Sequence, residues 1–325
     1  MEYPNKSEVT SMIIFLKAII GTSVLIILWI NIWNKKYDAI NCGNKFITIT
    51  NAILKLHHLY LNNSIEYRIA GVIFINISIW ISLLTCDGIM FPNFLGFSAI
   101  SLALPNFICS WFLLQYAFAL MLIKKQFNNL NCSILKLSTR KLTLNYFRGS
   151  ISSQVPLSNQ LIIDLFTIRK NYKLMCEIVR EIRFMFSFSI LIIIVLFNIN
   201  IITTTYYFVQ PLFQSEIPWS FFVTLDTLSY LAMELFPIII MTTSVTQLIN
   251  EMNSTADAIY GLMNEPIRDQ EFKTQLEEFS FELLHRTIKF DACNILPLDR
   301  TLLHSIASMT TTYLIILIQY SLGRK

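Results

Sequence analysis

Six stretches of this chain run for about a membrane's thickness with almost no charge, and that pattern leaves few folds open. They are Ala18 to Asn34, Ile69 to Cys86, part of Gly88 to Ile123, part of Phe184 to Ser215, Trp219 toward Asn250, and Thr301 to Gly323. Crossing the hydrocarbon core takes roughly 20 apolar residues at the helical rise. The runs are continuous and lack period-two alternation, so they read as helices rather than barrel strands. Pro92 and Pro105 split the long stretch from Gly88 into a loop and one helix. The expected fold class is an all-α membrane protein, a polytopic helical bundle with six visible transmembrane helices. A chain of 325 residues would ordinarily suggest two soluble domains, but 54% apolar residues against 14% charged excludes them. The net charge of +4 is scattered, not gathered in a basic stripe, so no nucleic-acid partner is expected.

The apolar region after Lys6 exceeds a signal-peptide core, lacks a small-x-small site and ends at Trp33-Asn34-Lys35-Lys36, so it reads as a retained span. Residues 34–68, 124–183 and 250–300 hold 21 of the 25 Lys and Arg. Asp87 to Phe97 and Gln210 to Pro218 hold none. By the positive-inside rule the basic connections are internal, the amino terminus is outside and the tail Gly323-Arg324-Lys325 is external.

The internal connections carry helical patterns. Leu161, Leu165, Ile168, Tyr172, Met175 and Val179 recur every three or four residues within Leu161–Arg183. Phe272, Leu276, Phe279, Leu283 and Leu284 do so within Glu271–Phe290. Such amphipathic segments either extend the spans into a cytoplasmic bundle or lie on the anionic inner leaflet. The chain then divides into a transmembrane bundle over 1–249, a cytoplasmic helical segment over 250–300, and the last helix with its tail over 301–325.

Chemistry-bearing motifs are sparse. The six cysteines lie mostly in internal segments or spans and give no disulfide framework. His57-His58 reads as two solvated residues rather than metal ligands, and no metal-binding, phosphate-binding or catalytic-triad pattern occurs, so no enzyme, metal or cofactor is expected. Asn5, Asn62, Asn131 and Asn253 match the Asn-x-Ser/Thr pattern, as does Asn76 inside a span, but by this topology only Asn5 faces outward.

The last span is the most informative. Ser305, Ser308, Thr312 and Gln319 share one helical face, which must meet either protein or water. Interhelical hydrogen bonding and a pore lining are both open readings.

Here the sequence resembles a known family. Thr312-Tyr313-Leu314-Ile315-Ile316-Leu317-Ile318-Gln319-Tyr320 is similar to the carboxy-terminal signature of the insect gustatory receptors, Thr-Tyr, five hydrophobic residues and Gln-Phe. Phe290 to Asp299 resembles the segment before that helix. The resemblance implies a chemosensory receptor in the plasma membrane, a ligand-gated, non-selective cation channel. It also implies a homo- or hetero-tetramer with related receptors, its pore lined by each last helix. Thr312, Tyr313, Gln319 and Tyr320 then carry the family motif, and Ser308, Thr312, Gln319 and Tyr320 form the pore and gate. Tyr320 stands where the family has Phe. The family has seven spans, whereas six are visible, which fits loss of the first helix: a partial gene model, a degenerate copy or a natural short form.

Candidate ligand residues, by depth and chemistry, are Trp80, Trp111, Tyr206, Tyr207, Trp219, Phe222, Asp226 and Tyr230. Asp226, Tyr230 and Glu234 recur every four residues on one stripe, and intramembrane carboxylates are functional suspects by default. An interfacial aromatic belt with internally paired acids is the competing reading. The ligand would be a small-molecule tastant: a sugar, a bitter compound or another small molecule. A secondary transporter and a non-conducting truncated receptor are the alternatives.

Overall fold

The computed structural model describes residues 8–56, 64–90, 103–147, 155–213, 221–264, 270–285 and 288–322. Among them lie seven helices and one short hairpin: α1 (Glu8–Leu56), α2 (Ser64–Met90), α3 (Leu104–Phe147), α4 (Val155–Phe213), α5 (Phe221–Met263), α6 (Gln270–His285), β1 (Asp291–Ala292), β2 (Leu296–Pro297) and α7 (Thr301–Leu322). Six of the helices are long and apolar enough to cross a membrane.

Helix lengths set the architecture. α1, α3, α4 and α5 contain 49, 44, 59 and 43 residues. At the helical rise they reach about 65–90 Å, against a hydrocarbon core of about 30 Å. Each therefore projects far beyond a bilayer, and the Lys/Arg positions put the surplus at the basic end. The amphipathic segment Leu161–Arg183 is thus the first half of α4, continuing unbroken into the apolar half.

At the basic end these extensions pack on one another rather than lying flat on a leaflet. Leu165, Ile168, Tyr172, Met175 and Val179 are buried, with Phe272, Leu276 and Phe279 of α6 facing the same core. Tyr172 bridges three helices, meeting Phe127 of α3 and Phe279 of α6 edge-on with ring centroids 5.5 and 5.7 Å apart. Arg169 ties α4 to α6 through Glu278 at 2.7 Å and Glu282 at 2.6 Å. Buried Asn131 ties α3 to α5: its amide donates to the Glu251 carboxylate at 2.9 Å and its carbonyl accepts from Thr255 at 2.6 Å. Leu284 departs from the expected stripe, being 62% exposed. It lies about 100° around the helix from Leu283, which packs against the core.

The other half of the bundle is more open. Large apolar side chains of α1 (Phe15, Ile26, Trp29), α2 (Phe74, Ile81) and α7 (Ile315, Ile316) are exposed in the single chain, as lipid-facing or partner-facing surfaces are. Gly21 is where α1 crosses the start of α3, since a Cβ there would come 3.1 Å from the Pro105 side chain. Pro105 is the second residue of α3, where the missing N–H has no intrahelical partner to lose.

Several expectations need correction. α2 runs to Met90, so Asp87 is helical and does not open a loop. α4 likewise carries Gln210 and Pro211 to Phe213. Within the otherwise helical bundle, the segment before α7 forms a short hairpin pairing Asp291 with Pro297 and Ala292 with Leu296. Its turn is closed by the Ile295 N–H donating to the Ala292 carbonyl at 3.0 Å, with the central residues Cys293 and Asn294 at φ of 55° and 57°. Asp299 caps α7 by accepting from the Thr301 N–H at 2.9 Å. His57-His58, Asn5, Asn62, Pro92 and the carboxy-terminal tail lie outside the described residues.

Candidate functional site

The stripe on α5 faces α2, and the two helices meet through polar and aromatic groups at the end of the bundle away from the basic connections. Tyr230 donates its hydroxyl to the Asp87 carboxylate at 3.2 Å, and the Ser82 and Ser229 hydroxyls lie 3.2 Å apart. Trp80, Leu83, Ala103 and Met233 form a separate buried cluster there, with Phe107 and Tyr230 packed against it. Trp80 meets Phe107 edge-on at 4.9 Å, and Phe107 meets Trp111 at 6.1 Å. Trp80, Trp111, Asp226 and Tyr230 are thereby brought into one region bounded by α2, α3 and α5.

Polar atoms in that region are sealed from solvent without partners. Among the described residues, both indole nitrogens, of Trp80 and Trp111, have no acceptor, and one carboxylate oxygen of Asp226 and one of Glu234 have no donor. Buried polar groups are ordinarily hydrogen-bonded, so four such atoms in one region stand out. Glu234 is 1% exposed, within electrostatic range of Lys17 of α1. Pro237, one turn further along α5, has no N–H for the Met233 carbonyl and breaks the helix ladder beside Glu234.

Other candidates fall elsewhere. Tyr207 stacks on Tyr206 at the end of α4, at 5.8 Å, and has no ring contact with the Trp80 group among the described residues. Phe222 is 44% exposed and stacks on Phe221, so it does not line the region. Trp219 lies outside the described residues. Asp87 and Lys17 went unrecognised in the sequence. Asp87 stood at the edge of an apparent loop and Lys17 just before an apparent span, yet each is a lone charge beside an apolar run, which is the signal available for them.

The polar face of α7 is exposed among the described residues. Ser305, Ser308, Thr312 and Gln319 are all exposed, and Ser305 and Thr312 bond only to carbonyls of their own helix, Thr301 at 3.2 Å and Ser308 at 3.0 Å. Tyr313 and Tyr320 are 47% and 65% exposed. Among the described residues α7 is held from its sides, by α4 through Asn198 donating to the Met309 sulfur at 3.2 Å, and at its root. There Cys293 donates its N–H to Ser187 of α4 at 2.6 Å, and Arg183 donates to the Lys289 carbonyl.

A family profile described as 7tm chemosensory receptor matches residues 1–323, nearly the whole chain. The chain belongs to that family. Its relatives include Drosophila melanogaster gustatory receptor 28b, 26% identical over 154 residues, and gustatory receptor 28a, 24% identical over 181 residues. These matches cover 46% and 53% of this chain but only 33% and 38% of the relatives' own lengths. Gustatory receptor 2a of the same species is 48% identical over 49 residues, which is 15% of this chain and 11% of that receptor. The fold is that of the insect olfactory receptor OR5 from Machilis hrabei, solved with eugenol, with a TM-score of 0.53 at 11% identity over 94% of this chain and 79% of that one. The family is one of chemosensory receptors, and the six long apolar helices of this chain fit a multi-pass membrane architecture.

Proposed function

We propose that this chain is a gustatory receptor subunit in the plasma membrane, a ligand-gated, non-selective cation channel opened by a small-molecule tastant. The observation that carries the reading is the division of polar groups between two places. One is the region among α2, α3 and α5, where Trp80, Trp111, Asp226 and Glu234 hold polar atoms without partners. The other is α7, whose Ser308, Thr312 and Gln319 face is exposed among the described residues. A polar face on a membrane helix needs water or protein, and copies of α7 around an axis supply both, giving a homo- or hetero-tetrameric pore with Gln319 and Tyr320 near its gate. In this reading the basic end lies in the cytoplasm, residues 1–249 form the transmembrane bundle, 250–300 the cytoplasmic helical segment and 301–325 the pore helix with a short external tail. Ligand binding between α2 and α5 shifts α5, and the shift reaches α7 through α4 and the hairpin root.

Patch recording of the expressed chain, alone and with related subunits, against a tastant panel tests this. The reading requires ligand-evoked cation current that Asp226→Asn abolishes with surface expression preserved. An unchanged dose response in Asp226→Asn removes that residue from the pocket, and absence of current in every combination sinks the channel.

A further inference from the structure

We propose that the acidic and aromatic region between α2, α3 and α5 takes an organic ammonium ligand, its cation set against Asp226 and Asp87 and its apolar body among Trp80, Phe107 and Trp111. The inference rests on the ligand-gated reading above and adds the ligand's chemical class. Three carboxylates gather there: Asp87 and Asp226 lie within electrostatic range of each other, and Glu234 follows two turns below Asp226 on α5. Positive charge is scarce. The sequence has no Lys or Arg between Arg68 and Lys124, nor between Arg183 and Arg268, and Lys17, the cation within range, faces Glu234. Tyr230 gives Asp87 one neutral hydrogen bond, and Asp226 has a sealed oxygen with none.

A carboxylate held away from water without a counter-ion is costly, and a ligand cation removes that cost where a neutral ligand does not. The surroundings select an organic cation over an inorganic one. Aromatic faces attract ammonium groups, and the three rings in edge contact supply apolar walls that a hydrated metal ion does not use. The second, independent pointer to a ligand is Trp80. It is 6% exposed and packs in the cluster that Tyr230 closes, yet among the described residues its indole N–H has no acceptor. A ligand carrying an oxygen or nitrogen acceptor beside its ammonium group completes both ends of the region. Sugars offer hydroxyls to the same acceptors but leave the charge of Asp87 and Asp226 uncompensated.

Binding to the purified full-length chain in lipid nanodiscs tests the class, using benzyltrimethylammonium and its neutral carbon isostere neopentylbenzene, read by quenching of tryptophan fluorescence. The ammonium compound binds at least about tenfold more tightly than the isostere, and Asp226→Asn collapses that preference by weakening benzyltrimethylammonium binding far more than neopentylbenzene binding. Equal or tighter binding of the isostere by the parent protein overturns the proposal without recourse to any variant, and so does a preference that survives in Asp226→Asn. Parallel recordings separate the two readings. Ammonium preference without evoked current overturns the channel and leaves the ligand class standing. Sucrose-evoked current lost in Asp226→Asn, without ammonium preference in binding, overturns the ligand class and leaves the channel standing.

Discussion

Phe279 and Phe281 sit two residues apart on α6 and test whether the extensions at the basic end form a packed bundle. Phe279 is fully buried against Tyr172, with ring centroids 5.7 Å apart, whereas Phe281 is 63% exposed. Replacing a buried Phe by Ala costs about 3–5 kcal/mol from lost transfer energy and the cavity left behind. Phe279 is fully buried in the core where α6 packs on α4 and α5, so its site has little freedom to collapse, and the upper part of that range applies. An exposed Phe→Ala change costs within about 0.5 kcal/mol. At roughly 2–4 °C per kcal/mol for a chain of this size class, Phe279→Ala lowers the apparent melting temperature by about 10 °C and Phe281→Ala by about 1 °C. Both variants keep the same helix and the same chemistry, and differ only in the face. The assay is thermal unfolding of detergent-purified protein followed by native tryptophan fluorescence. Equal shifts for the two variants refute the bundle and favour a helix lying on the leaflet with either face.

Other perturbations probe separate parts of the account. Arg169→Met removes both ion pairs to α6, and because these are partly exposed the loss is about 1–2 kcal/mol and shrinks as salt is raised, measured by the same melts at two ionic strengths. Gly21→Leu forces α1 away from Pro105 and lowers stability by about 1–3 kcal/mol, while Gly43→Leu, which has open space around its Cβ, shifts the melt by much less. If Tyr320 lies at the gate of the proposed channel, Tyr320→Phe lowers resting current; equal leak in variant and parent shows that the hydroxyl does not wet the gate.

Much of the fold was legible because a bilayer imposes a simple rule on a sequence. Runs such as Ile69–Cys86 and Thr301–Gly323 have to be helices, and the three-and-four spacing of Ile168, Tyr172 and Met175 named the buried face of α4 before any partner was known. Periodicity identifies a face but not what the face meets. Tyr230 was legible as one member of a stripe, yet its partner Asp87 is 143 residues away, and no local pattern connects them. The same holds for Asn131 with Thr255, Asn31 with Ser189 and Asn200 with Asn106, pairs that lock helices across long separations. Asp87 was misplaced because a charge after an apolar run looks like a loop, and only packing against α5 shows why the helix continues through it. Tyr207 and Phe222 were chosen for depth and aromatic character, criteria that a lipid-facing or interfacial ring also satisfies.

Cysteine accessibility along α7 tests the central claim most directly. In channels opened by ligand, single Cys substitutions at Ser308, Thr312 and Gln319 are modified by a water-soluble, positively charged thiol reagent, and the modification blocks the current. Substitutions at Ile315 and Ile316 leave the current unchanged under the same treatment. Block at the isoleucines with none at the polar face contradicts the account, because it turns the exposed polar stripe of α7 away from the ion path.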